Sequence, residues 1–102
     1  QLSETPRKRL HIIWGMVAEK ALDEILKLLP GDASYYFTQP SIPRAMPLEM
    51  LVEHAAVNGL RGSAHATVRE AYQAATRAAA AEDTIFIGGS TFVVADLLAY
   101  LE

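Results

Sequence analysis

Four times along this chain a short β-favouring run gives way to apolar residues at helical spacing. That alternation constrains the fold more than any single motif. The runs are "LHIIWGMV" at 10–17, "ASYYFTQ" at 33–39, "GSAHA" at 62–66 and "TIFIG" at 84–88. The first has the near-continuous apolar character of a strand buried on both faces, broken by Gly15. Leu22, Ile25, Leu26 and Leu29 follow at helical spacing, and Pro30-Gly31 stop that helix. Leu48, Leu51, Val52 and Ala55 form the stripe of a second helix, with Pro47 at its first position and Asn58-Gly59 at its end. "TVRE", Thr67 to Glu70, is a capping box for a third helix. The stripe of that helix is Val68, Ala71, Tyr72 and Ala75, running out into the alanines at 78–81. An amphipathic segment after Ser90 is the fourth. Strand starts near 10, 33, 62 and 84 leave room for crossover helices. The expected fold is therefore α/β: a Rossmann-like open, mainly parallel sheet with helices on both faces, built from four βα units.

Size and composition narrow the function. The 102 residues fit one domain spanning 1–102. With 51% apolar and 21% charged residues the chain reads as an ordinary globular protein. Its net charge is −3 with the signs interspersed, so no basic stripe marks a nucleic-acid binder. Arg7-Lys8-Arg9 is read as a solvated run before the first strand. No cysteine is present, which excludes disulfides and thiolate metal sites. No apolar run has the length of a membrane span and no leader is evident, so the expected setting is the cytoplasm. The chain opens at Gln1, and "QLSETP" reads as the tail of a helix, so a longer parent protein is expected.

In open α/β sheets ligands bind beyond the carboxyl ends of the strands. Three places there carry candidate chemistry. Gly88-Gly89-Ser90 joins the last strand to the last helix. Helix-start N–H groups favour an anion, and glycines let a ligand approach the backbone. The alternative is a tight turn in which Ser90 only caps the helix. Lys20 follows the first strand and is either a solvated charge or a partner for a carboxylate. Arg44 sits in "PSIPRAMP", a loop stiffened by prolines, where a guanidinium fork suits bidentate carboxylate binding. His11, His54 and His65 lack metal-ligand spacing and read as structural or surface residues. Trp14, Tyr35 and Tyr36 read as core and strand-face residues. Neither G-x-x-x-x-G-K-[ST] nor G-x-G-x-x-G occurs, and Phe92 stands where a hydrolase elbow needs its second glycine.

Taken together, "LHIIWGMVAEKALDEILKLLP", "YYFTQPSIPRAMPLEML" and "EDTIFIGGSTFVVADLL" resemble the C-terminal domain of bacterial folylpolyglutamate/dihydrofolate synthases. These enzymes belong to the Mur ligase family. The similarity runs from about residue 5 to 102, with the motifs in family order. It implies an ATP-dependent ligase in which ATP phosphorylates a carboxylate of the folate or dihydropteroate substrate. The amine of an incoming glutamate then attacks the acyl phosphate. It implies that a central domain of the same protein holds ATP and Mg2+, with neither bound by this fragment. It further implies that Lys20, Arg44 and Ser90, with Gly88 and Gly89, face the glutamate, and that this domain closes over the site.

There are departures from the family pattern. Glu19-Lys20-Ala21 stands where the family often has D-K-D, so the second acid is missing. The family's D-x-x-H-N loop, which would precede Gln1 by about one helix, is absent. The fragment alone is thus expected to hold no catalytic residue and to be inactive. An incomplete sheet would leave an unpaired edge and favour self-association. The alternative is a stand-alone Rossmann-like module that binds a small anion or a protein partner.

Overall fold

Four strands pair in parallel in the order β3-β2-β1-β4. In chain order the elements are β1 (Leu10–Trp14), α1 (Leu22–Leu26), β2 (Ser34–Phe37), α2 (Leu48–Val57), β3 (Gly62–Ala64), α3 (Val68–Ala78), β4 (Thr84–Gly88) and α4 (Thr91–Leu101). This computed structural model describes residues 9–17, 22–43, 45–89 and 91–101. The chain steps outward from β1 to β2 to β3. It then returns through α3 to lay β4 on the other side of β1. Right-handed crossovers in opposite directions place helices on opposite faces, and two cores result.

On one face Ile12, Trp14, Tyr35 and Phe37 pack with Leu26 of α1 and with Leu51 and Ala55 of α2. On the other, Ile13 and Tyr36 pack with Val68, Ala71 and Ala75 of α3 and with Val93 and Leu97 of α4. The register alternates the faces: Ile12 lies beside Tyr35 and Phe86, Ile13 beside Tyr36 and Ile87. Burying a side chain such as Ile13 or Phe37 contributes about 2–3 kcal/mol each. β1 is covered on both faces, which is why its sequence shows little alternation. Among the described residues β4 is covered on one face only, and Phe86 is 52% exposed on the other.

The expected four βα units and parallel sheet are present; several boundaries differ, each for a local reason. α1 gives way after Leu26, where Leu28 and Leu29 N–H donate to carbonyls three residues back, Ile25 and Leu26. Pro30 disfavours helical backbone at Leu29, whose side chain still packs against the core. Pro47 is the N-cap of α2 rather than its first residue. α3 ends at Ala78 instead of running through the alanines. The reason is Asp83, whose carboxylate takes the Ala80 N–H at 2.9 Å while its own N–H donates to Ala80 O at 3.0 Å. That turn starts β4. The Thr67 half of the expected capping box is present, with Thr67 Oγ1 accepting the Glu70 N–H at 3.1 Å. Among the described residues no helix is long and apolar enough to cross a membrane.

Candidate functional site

Strand order fixes where a ligand crevice can form. The order in which strands are added across the sheet reverses between β1 and β4, which remain parallel, so the switch point lies beyond Trp14 and Gly88. Two backbones meet there. Gly89 has φ +95°, and a Cβ on it would sit 2.1 Å from the Gly15 carbonyl oxygen. A Cβ on Gly15 would come within 2.8 Å of Thr38 O and 2.9 Å of Val93 Cγ2. The loops after β1, β2 and β4 and the first turns of α4 therefore converge at a point with no space for a side chain. Only glycine satisfies both the positive φ and the contact.

The loop after β2 is tied down along its length. Thr38 N–H extends the ladder to Trp14 O at 2.9 Å. Ser41 gives its N–H and hydroxyl to Asp96 of α4, at 2.7 and 3.0 Å. Met46 N–H donates to Met16 O at 2.8 Å, and Ala45 bridges Val17 in antiparallel fashion. Gln39 Oε1 accepts the Leu48 N–H at 2.8 Å, satisfying an orphan donor at the start of α2. Beside it lies a pocket of about 330 Å³ lined by Gln39, Pro47, Leu48, Glu49 and Ala66. The prolines thus stiffen a loop that hydrogen bonds already hold against β1 and α4.

Of the residues singled out from the sequence, Gly88 and Gly89 fall at the carboxyl end of β4. Lys20, Arg44 and Ser90 lie outside the described residues. Residues on either side of Arg44, Pro43 and Ala45, belong to the anchored loop. Two side chains with no distinguishing sequence signal also stand here. Thr38 Oγ1 and Trp14 Nε1 are buried at the ends of β2 and β1 and have no hydrogen-bond partner among the described residues. Nor was there a signal for Gln39 or Asp96, whose work depends on contacts across the fold.

The opposite edge is organised differently. His11, 2% exposed, bridges Tyr36 OH at 2.8 Å through Nδ1 and Asp83 Oδ2 at 2.9 Å through Nε2. The ionised Asp83 carboxylate can only accept, so the proton in that contact sits on Nε2, and Nδ1 shares a hydrogen bond with the Tyr36 hydroxyl. Asp83 also accepts the Ala80 and Arg9 N–H groups. These donors hold its pKa down at about 2, with the Ala80 N–H first, then His11, then Arg9. Burial raises the Tyr36 hydroxyl pKa, and burial followed by the Asp32 charge pushes Tyr35 up to about 12. His65 is lowered by burial, against the Glu70 charge. Among the described residues no group of three His, Asp or Glu side chains forms a metal site. His54 meets Asp23 at 3.1 Å and His65 meets Ser63 at 2.7 Å.

The sequence profile described as "Mur ligase, glutamate ligase domain" matches residues 1–91. The chain belongs to that family. Solved structures agree with the assignment. Escherichia coli FolC in complex with DHPP and ADP is 28% identical, covers 97% of this chain and 23% of its own, and superposes with a TM-score of 0.81. Mycobacterium tuberculosis folylpolyglutamate synthase complexed with ADP and AMPPCP is 26% identical over 96% of this chain and 24% of its own, with a TM-score of 0.76. The bifunctional folylpolyglutamate synthase/dihydrofolate synthase of Yersinia pestis, complexed with AMPPNP and Mn ion, shares the fold with a TM-score of 0.82 at 23% identity. It covers 98% of this chain and 24% of its own. No curated protein sequence matches. This Mur ligase domain therefore spans about a quarter of the length of the solved relatives. The family resemblance and the fold expected from the sequence both hold.

Proposed function

We propose that this chain is the C-terminal domain of a longer ATP-dependent folate–glutamate ligase, and that its carboxyl edge binds the incoming glutamate. The observation that supports this most is the convergence of three loops at the β1/β4 switch point of a Mur ligase glutamate ligase domain. The loop carrying Arg44 and the turn preceding Ser90 both lead to that point, and Lys20 follows the same strand as Gly15. In this reading Lys20 and Arg44 neutralise the two carboxylates of glutamate, and Ser90 with the α4 N–H groups adds donors. The clamp leaves the amine free to attack the activated carbonyl carbon; the C–N bond forms as phosphate departs. Holding both reactants in place is the main contribution of such a domain, and closing over the site keeps water from the acyl phosphate.

Nucleotide and metal belong elsewhere in the parent. The sequence has no phosphate-cradling glycine loop, and the described residues offer no metal-ligand cluster. ATP, bound by a central domain, would supply the phosphoryl group that activates the acceptor's carboxylate. By itself the fragment is expected to be inactive in the cytoplasm. It is also expected to self-associate through the outer edge of β4, which has no strand partner among the described residues and exposes Phe86. Sedimentation that shows only monomer at high concentration would contradict that.

The experiment is a steady-state assay of the parent ligase with ATP, glutamate and a pteroate or folate acceptor. Lys20→Ala and Arg44→Ala each raise the glutamate KM or lower kcat by roughly tenfold or more, as loss of a charged hydrogen bond should. The KM for ATP stays within about twofold. Unchanged glutamate kinetics in both variants would remove the site assignment. Turnover with a different amino acid and a non-folate acceptor would move the domain to another branch of the family.

A further inference from the structure

The amino edge of the sheet carries a cleft that the proposed ligase chemistry does not use. It has a volume of about 760 Å³, and its polar walls are Arg9, Asp32, Ser34, Tyr36, Arg61 and Ser63. Strand order explains the arrangement. β2 lies between β1 and β3; Arg9 immediately precedes β1 and Arg61 immediately precedes β3. The two arginines therefore flank the first residue of β2, Ser34. Both are fixed through their backbones. Arg9 N–H donates to Asp83 Oδ1 at 3.0 Å and its carbonyl accepts from Thr84 at 3.1 Å. The Arg61 carbonyl accepts the Tyr35 N–H at 3.1 Å.

The Arg9 side chain is oriented as well. Its Nε donates to Ser34 Oγ at 2.6 Å, which leaves the two terminal nitrogens for another acceptor. Among the described residues the ion pairs are His11–Asp83 and His54–Asp23, and neither arginine pairs with a carboxylate. Asp32 at the same cleft offsets only part of the positive charge. On a chain of net charge −3 this is a local reversal of sign. A planar fork with free donors, hydroxyls beside it and a second guanidinium across the cleft suits an oxyanion.

We propose that this cleft binds a small oxyanion, a carboxylate or a phosphate group, between Arg9 and Arg61, with the Ser34 and Ser63 hydroxyls as further contacts. It is separate from the glutamate site, because the five residues of β1 set the two edges of the sheet about 16 Å apart. The proposal does not depend on the ligase reading.

The test is an amide-resolved NMR titration of the chain with inorganic phosphate and, separately, with glutarate, at constant ionic strength held by chloride. Saturable shifts of the Ser34, Tyr35 and Ser63 amides are expected with at least one of the two anions. Which anion saturates identifies the chemical source. Arg9→Gln and Arg61→Gln each weaken binding roughly tenfold, and Asp32→Asn tightens it several-fold. These side chains are exposed, so the variants keep the spectrum of the core. Absence of saturation at these amides for both anions, or unchanged affinity in both arginine variants, would overturn the proposal.

Discussion

The two edges of the sheet are built by opposite means. At the carboxyl edge Gly15 and Gly89 bring backbone against backbone, and neither position has room for a Cβ. At the amino edge the same strands are tied by side chains, with His11, Tyr36 and Asp83 in one hydrogen-bonded chain and Asp83 gathering two further N–H groups. A backbone contact sets loop positions tightly without spending any side chain. A side-chain network instead fills its space and joins parts of the chain 72 residues apart. The difference teaches that glycine lets the loops at the carboxyl edge pack backbone to backbone, while side chains at the opposite edge fasten β4 to β1.

If this contrast is right, the carboxyl edge should be the less forgiving. Gly89→Ala combines a positive φ with a 2.1 Å backbone clash and should cost about 3 kcal/mol or more in urea unfolding. Gly15→Ala meets a carbonyl at 2.8 Å and a movable valine methyl at 2.9 Å, and should cost about 2 kcal/mol. Equal and negligible losses at both would break the account of the crevice. Asp83→Asn should cost less than either and should show its effect in the pH dependence. The folded pKa of Asp83, about 2, lies below its ordinary value of 3.8. Its ionised form therefore stabilises the fold fully above that ordinary value, and the contribution is lost as the pH falls toward 2. The gap between wild type and Asp83→Asn should narrow across that window. A constant gap would mean that Asp83 acts through packing and not through charge.

Periodicity made the alternation of strands and helices legible, and the glycine–glycine–serine turn could be placed at the end of a strand. Which strands are neighbours was not legible. The meeting of Gly15 with Gly89 follows from β4 returning to β1, and nothing local in either segment encodes that return. The same holds for Ser41 with Asp96 and for His11 with Asp83, each joined only through the sheet. The alanine run looked helical to its end because alanine favours helix wherever it stands. A single carboxylate five residues beyond Ala78 decides otherwise. Gln39 carried no signal, because an amide at a strand end becomes a cap only when a helix start is brought beside it.

The central claim is that substrate binding belongs to the carboxyl edge and fastening to the amino edge. Its most direct test is the glutamate KM of the parent ligase measured side by side for Arg44→Ala and Asp83→Asn, at a temperature where both remain folded. The account predicts a rise of roughly tenfold or more for Arg44→Ala and a change within about twofold for Asp83→Asn. An unchanged KM in Arg44→Ala, or an equal rise in both, would contradict it.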